Sequence, residues 1–160
     1  LDVEPIITSK EKLDELQDNL MLFFTGFSRS ASSIAKKQIE LTHKREKELN
    51  LMTDICNEGL NVLTDNNKPI YEIGRLLDEQ WKIKREMTDK ISNQAIDKIY
   101  QAGIDAGATG GKLLGAGGGG FMLFFVPKSK QNKVMEALKS KLNVPFRFEY
   151  SGSKIVYYSH

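Results

Sequence analysis

Between two apolar runs the chain carries Gly115-Ala116-Gly117-Gly118-Gly119-Gly120, five glycines in six positions. Each glycine adds backbone entropy that folding must remove. A cluster therefore implies backbone conformations closed to other residues, or close approach of a ligand to main-chain N–H groups. Successive N–H groups in such a loop can form a concave anion site, and phosphate is the natural guest. Gly115, Gly117 and Gly120 satisfy G-x-G-x-x-G, but a dinucleotide fingerprint runs from a strand into a helix. Here Phe121–Val126 follows and reads as a strand. A Walker A loop needs Ser or Thr after its Lys, whereas Lys112 is followed by Leu113. What is left is a glycine turn between strands. The competing reading is a slack hairpin, although a hairpin needs only one or two glycines.

Other candidates for chemistry are few. Lys112 adjoins the loop, and strand alternation leaves open whether it faces a phosphate or points outward. Lys84 and Arg85 close a helical stripe through Trp81; Lys84 reads as a side chain whose stem runs along the core edge, and Trp81 as a core anchor. Cys56 is the only cysteine, so no intrachain disulfide forms, and it reads as packing in a reducing compartment. His43 lies in the charged run 43–48 and His160 is terminal. No His, Cys, Asp or Glu pair has metal-site spacing. Asp97 and Asp105 suit helix surfaces, so no catalytic residue is assigned.

The elements that would hold these residues follow from pattern. The 160 residues suit one domain with its own core. With 23 basic and 21 acidic residues, interleaved, the chain lacks the basic bias of a nucleic-acid binder. Its longest apolar run is too short to span a membrane, and no signal-peptide pattern is read at the start. Val3–Thr8 predicts a short strand, Ser9 caps a helix ending near Asn19, and Leu20–Thr25 predicts a buried strand. A long helical stretch, capped by Ser30 or Ser32, runs through Ala31, Ile34, Ala35 and Gln38 and continues through Leu49, Met52, Ile55, Cys56 and Leu63. Residues 64–68 form a turn, and Pro69 starts a helix lined by Ile70, Ile73, Leu77, Trp81 and Lys84. Another helix from near Ser92 turns Ala95, Ile96, Ile99 and Tyr100 inward. Residues 111–114 and 121–126 are strands about the glycine loop. Lys130–Leu142 is an amphipathic helix, and Phe146–Tyr150 and Lys154–Tyr158 are two final strands. The fold class predicted is α+β: a ferredoxin-like split β-α-β plait with a large helical insertion.

The stretch Gly107-Ala108-Thr109-Gly110-Gly111-Lys112-Leu113-Leu114 and the glycine run to Phe121 resemble the third signature of the GHMP kinases. Residues 24–32, Phe-Thr-Gly-Phe-Ser-Arg-Ser-Ala-Ser, and 80–85, Gln-Trp-Lys-Ile-Lys-Arg, are similar to one branch, the D-glycero-D-manno-heptose 7-phosphate kinases. The resemblance covers most of the chain. It implies ATP-dependent phosphorylation, with Mg²⁺ brought by ATP, of a small-molecule hydroxyl. In the heptose branch this is the anomeric hydroxyl of a heptose 7-phosphate, on the way to capsule or other surface polysaccharide, in the cytoplasm. Residues 115–120 would lie at the nucleotide phosphates, while Thr25, Gly26, Arg29 and Lys112 would meet the sugar phosphate. Arg29, between a strand end and a helix start, would grip it bidentately; a solvated cap-region arginine is the alternative.

The family's second signature, the loop that wraps ATP, is not found here, nor is its N-terminal sugar-binding signature. The expectation is therefore a C-terminal domain, residues 1–160, that needs the N-terminal half of the same kinase for turnover and could self-associate without it. The alternative is a non-catalytic module that binds a nucleotide or sugar phosphate, or another chain.

Overall fold

The computed structural model of the chain describes residues 5–27, 35–36, 39–88, 91–149 and 157. Ser9 is extended and its hydroxyl accepts the Lys12 N–H at 3.2 Å, which starts helix α1 (Lys10–Asn19). The chain passes directly from Asn19 into strand β1 (Leu20–Phe24), whose alternate residues Met21 and Phe23 are buried. The strand expected at Val3–Thr8 does not form over 5–8, and residues 3 and 4 lie outside the described set. Ile6 and Ile7 stay exposed, with no neighbouring strand among the described residues to offer a ladder.

The helical insertion includes α2 (Glu46–Thr64), α3 (Glu72–Met87) and α4 (Gln94–Asp105). The continuous helix expected from Ala31 to Leu63 is interrupted. A 3₁₀ turn occupies Thr42–Lys44 and Arg45 leaves helical geometry, while the proposed caps Ser30 and Ser32 lie outside the described residues. Only a narrow stripe of α2 packs inward, through Leu49, Met52, Ile55, Val62 and Leu63. Cys56 falls beside that stripe and is exposed, not packed. Pro69 does not open α3. The carbonyls of Pro69, Ile70 and Tyr71 accept the N–H groups three residues on, a 3₁₀ lead-in, before the α-helix begins at Glu72. Asn93 caps α4, its side-chain oxygen accepting the Ala95 and Ile96 N–H groups at 3.0 and 3.1 Å.

Strands β2 (Gly110–Leu113) and β3 (Phe121–Phe125) flank the glycine loop. Helix α5 (Gln131–Ala137) and strand β4 (Leu142–Asn143) follow. The sheet order is β2-β3-β1-β4, every neighbour antiparallel. β1 and β2 thus run parallel on either side of β3, and β3 and β4 on either side of β1, the split β-α-β arrangement of a ferredoxin-like plait.

The C-terminal elements differ from expectation. Helix α5 stops at Ala137, and Leu142 is an exposed edge-strand residue rather than a helix end. Residues 146–149 form no strand. Pro145 has no N–H to extend the β4 ladder, and the Gln17 side chain satisfies the segment instead: its Nε2 donates to Phe146 O at 3.1 Å and its Oε1 accepts the Phe148 N–H at 2.8 Å. The expected strand at 154–158 lies outside the described residues, apart from Tyr157.

Met21, Phe23, Leu113, Met122 and Phe124 join Ile96, Ile99 and Tyr100 of α4 and Val134 of α5 in one buried cluster. Leu16, Val62, Ile70, Leu76 and Phe125 make the second. Helix α3 lies so close to β2 that a Cβ on Gly110 would stand 1.8 Å from Gly74 O. That backbone contact sets where α3 delivers its side chains beside the glycine loop.

Candidate functional site: the clamped glycine loop

The loop is closed at its base by the Leu114 N–H, which donates to Phe121 O at 2.8 Å. Within it Gly115, Gly117, Gly118 and Gly120 all have φ between +76° and +116°, a region that L side chains enter only with strain. Two outside segments then grip it. The Gly118 N–H donates to Ile91 O at 2.8 Å, and the Gly120 N–H to Phe27 O at 2.8 Å. The fits are tight: a Cβ on Gly117 would lie 2.9 Å from Ile91 Cα, and one on Gly119 would lie 2.6 Å from Phe27 O. This is a held loop and not a slack hairpin.

The clamp divides the backbone donors. Gly118 and Gly120 spend theirs on the fold. The N–H groups of Gly115, Gly117 and Gly119 have no hydrogen-bond acceptor among the described residues, and these three glycines are exposed or half-buried whereas Gly118 is buried. The loop therefore keeps three N–H groups unspent, at Gly115, Gly117 and Gly119, as donors for an anion.

The four substrate-binding candidates are placed differently. Thr25 is fully buried. Its hydroxyl and its N–H both donate to Gly120 O at 2.9 Å, so it staples the end of β1 to the loop. Gly26 turns the chain with φ +84°, and the Lys141 ammonium donates to Thr25 O at 3.1 Å alongside. Arg29 lies outside the described residues. Lys112 is half-buried on β2, and its ammonium donates to the Gln80 side-chain oxygen.

Lys84 was read from sequence as a snorkelling residue. Its ammonium instead donates to Gly115 O at 2.6 Å, which brings it to the mouth of the loop. Burial, and next the nearby Lys112 charge, push its pKa down to about 8. Burial likewise lowers Lys112, while the Cys56 thiol works in the opposite direction. Gln80 joins the group: one turn before Lys84 on α3, its amide also lies 3.7 Å from Cys56 Sγ. Helical spacing places Gln80 and Lys84 on one face, but nothing local brings that face to β2. The Gly74–Gly110 contact does so.

A second polar group lies between α3 and α4. Arg85 sits 5.7 Å above both the Trp81 and Tyr100 rings and 3.4 Å from Asp97, which also accepts the Ser92 hydroxyl at 2.7 Å. Tyr100 donates to Asp78; burial first, and this bond second, raise the Tyr100 pKa. These groups satisfy one another. Among the described residues no group of three or more His, Cys, Asp or Glu could hold a metal ion, and no helix is long and apolar enough to cross a membrane.

A four-stranded plait with a helical insertion and a glycine loop gripped from both sides defines a class. The family model described as GHMP kinases C terminal matches residues 61–144, more than half the chain and all of the signature at 107–121. The chain belongs to the GHMP kinase family and carries its C-terminal domain. It is 30% identical over 145 residues to the D-glycero-alpha-D-manno-heptose 7-phosphate kinase of Campylobacter jejuni, covering 87% of this chain and 41% of that one. It is also 30% identical over 131 residues to the mevalonate kinase of Pyrococcus horikoshii, covering 75% and 38%. The crystal structure of Methanococcus jannaschii mevalonate kinase superposes with a TM-score of 0.66 at 20% identity, over 84% of this chain and 42% of that one. The chain thus spans about two fifths of the length of each of these relatives.

Proposed function

We propose that the chain is the phosphate-side domain of an ATP-dependent kinase that phosphorylates a small-molecule hydroxyl, with a sugar phosphate as substrate. The observation that carries this is the clamped loop, with N–H groups at Gly115, Gly117 and Gly119 that have no acceptor among the described residues and two lysines at its edge. Phosphoryl transfer depends on positioning and charge stabilisation more than on covalent chemistry, and a loop fixed at Ile91 and Phe27 supplies position. ATP would bring Mg²⁺ and the transferable phosphoryl group. The donor set of this chain fits the phosphate oxygens and not the metal. Thr25 and Gly26 hold the loop's flank, from which Arg29 would reach the substrate phosphate. The remaining three fifths of the enzyme would supply the loop that wraps ATP and the residue that activates the hydroxyl.

The finer reading is the anomeric hydroxyl of a heptose 7-phosphate, in the cytoplasm, for surface polysaccharide. It rests on the similarity to the Campylobacter enzyme and on residues 80–85. The test is coupled ADP release by the longer protein with ATP, Mg²⁺ and a panel of sugars that includes heptose 7-phosphate and mevalonate, with the 160-residue chain alongside. Turnover on the heptose by the longer protein only is expected. Turnover on mevalonate would refute the sugar assignment, and silence from a folded longer protein on every substrate would refute the kinase reading.

A further inference from the structure

Two ammonium groups are held where β2 enters the glycine loop. Lys84 comes from α3 and reaches Gly115 O, and Lys112 comes from β2 and reaches Gln80, one turn before Lys84; the Lys112 charge is felt at Lys84. Both residues are half-buried. Each ammonium is held by a neutral oxygen, Gly115 O for Lys84 and the Gln80 amide for Lys112. Neither meets a carboxylate among the described residues. Other cations of α3 do: Arg75 contacts Glu58, Glu72 and Glu79, Lys82 contacts Asp78, and Arg85 contacts Asp97. Two like charges partly removed from water are unfavourable by themselves, and a buried charge is retained where something compensates it.

The donor inventory identifies the compensating group. An ammonium has three N–H donors. With one used on each lysine, four remain, next to the unpaired Gly115 N–H. A carboxylate from another part of the protein would leave one positive charge over. A phosphoryl group at neutral pH carries nearly two negative charges and several acceptor oxygens, which matches the pair. We propose that Lys84 and Lys112, with the Gly115 end of the loop, form a binding site for a phosphoryl group, and that Gln80 is the positioning residue that holds Lys112 in it. The site deepens the kinase reading, on which it rests for the source of the phosphate, nucleotide or phosphorylated substrate.

The experiment is a titration of the 160-residue chain with inorganic pyrophosphate, followed through the backbone amide shifts of residues 112–120. Saturable shifts at 113–115 are expected. Lys84→Gln and Lys112→Gln should each weaken binding about tenfold, while Lys112→Arg, which keeps the charge, should stay within a few-fold. Both glutamine variants should melt no lower than the parent, since each relieves a like-charge contact. Displacement of pyrophosphate by ATP, or by a sugar phosphate, identifies the source, and either result supports the site. Absence of saturable shifts, or binding unchanged in the folded Lys84→Gln/Lys112→Gln double variant, would overturn it. ADP release by the longer protein is measured separately. Turnover without pyrophosphate binding removes this site and leaves the kinase reading intact, and binding without turnover does the reverse.

Discussion

Gly119→Ala tests whether the glycine loop works by being gripped. The new Cβ would stand 2.6 Å from Phe27 O and 2.9 Å from its carbonyl carbon. Restoring ordinary contact near 3.4 Å moves the Phe27 carbonyl away by about 0.8 Å, since carbon and oxygen cannot pack closer without strain. That carbonyl also accepts the Gly120 N–H at 2.8 Å, and a retreat of that size stretches the bond to roughly 3.6 Å, outside hydrogen-bonding range. The lost bond costs about 1 kcal/mol and the residual overpacking about another 1 kcal/mol. For a chain of this size, about 2 kcal/mol lowers Tm by roughly 4–8 °C. The functional cost should be larger, because displacing phosphate donors by nearly 1 Å can lower turnover about a hundredfold. Gly115→Ala is the control for the thermal measurement only. Its Cβ meets nothing within 4 Å, so only the left-handed backbone penalty of about 1 kcal/mol applies. Thermal unfolding of the 160-residue chain and ADP release by the longer protein read the two effects. A Gly119→Ala protein that melts with the parent and turns over within twofold of it would refute the clamp argument.

Three further outcomes are expected. Lys84 is lowered from 10.5 to about 8 on folding, so between these values the unfolded chain holds a proton that the folded chain has released, and stability contributed by this group should rise with pH across that window. Lys112 shifts the same way and Cys56 opposes it there, so the measurement is the difference in denaturant stability between parent and Lys84→Gln from pH 7.5 to 10.5; a gap that does not narrow as pH rises argues against the desolvated pair. Gly110→Ala places a Cβ 1.8 Å from Gly74 O and 3.0 Å from Asp78 N, so α3 must lift off β2; a loss of about 3 kcal/mol or more is expected, and a melt within 2 °C of the parent would contradict it. Asn93→Ala removes the acceptor for two N–H groups at the start of α4, with an expected loss of about 1 kcal/mol, read by urea unfolding at unchanged m-value.

Much of the scaffold was legible because its signals are local. Ser9 before a helical period, the run 20–25 that stops at Gly26, and Pro127 after 121–126 each act within a few residues. The clearest misreadings arose where a distant partner decides. Ile6 and Ile7 have strand-like character but no strand beside them among the described residues. Residues 146–149 read as strand, yet Gln17, more than a hundred residues earlier, takes their hydrogen bonds. Cys56 fits the helical period but falls just outside the packed stripe of α2.

The same division holds for the site. The sequence by itself determined that residues 115–120 must adopt backbone conformations few side chains allow, and through the signature at 107–121 it determined the family, because glycine density and motif order are properties of contiguous residues. Only the tertiary structure decided which N–H groups stay unspent and which are spent on Ile91 and Phe27. It also tied Thr25 to Gly120 and brought Lys84 to Gly115. Those outcomes depend on how closely α3 approaches β2 and where residues 25–27 and 91 meet the loop, contacts between segments far apart in the chain that no local pattern encodes.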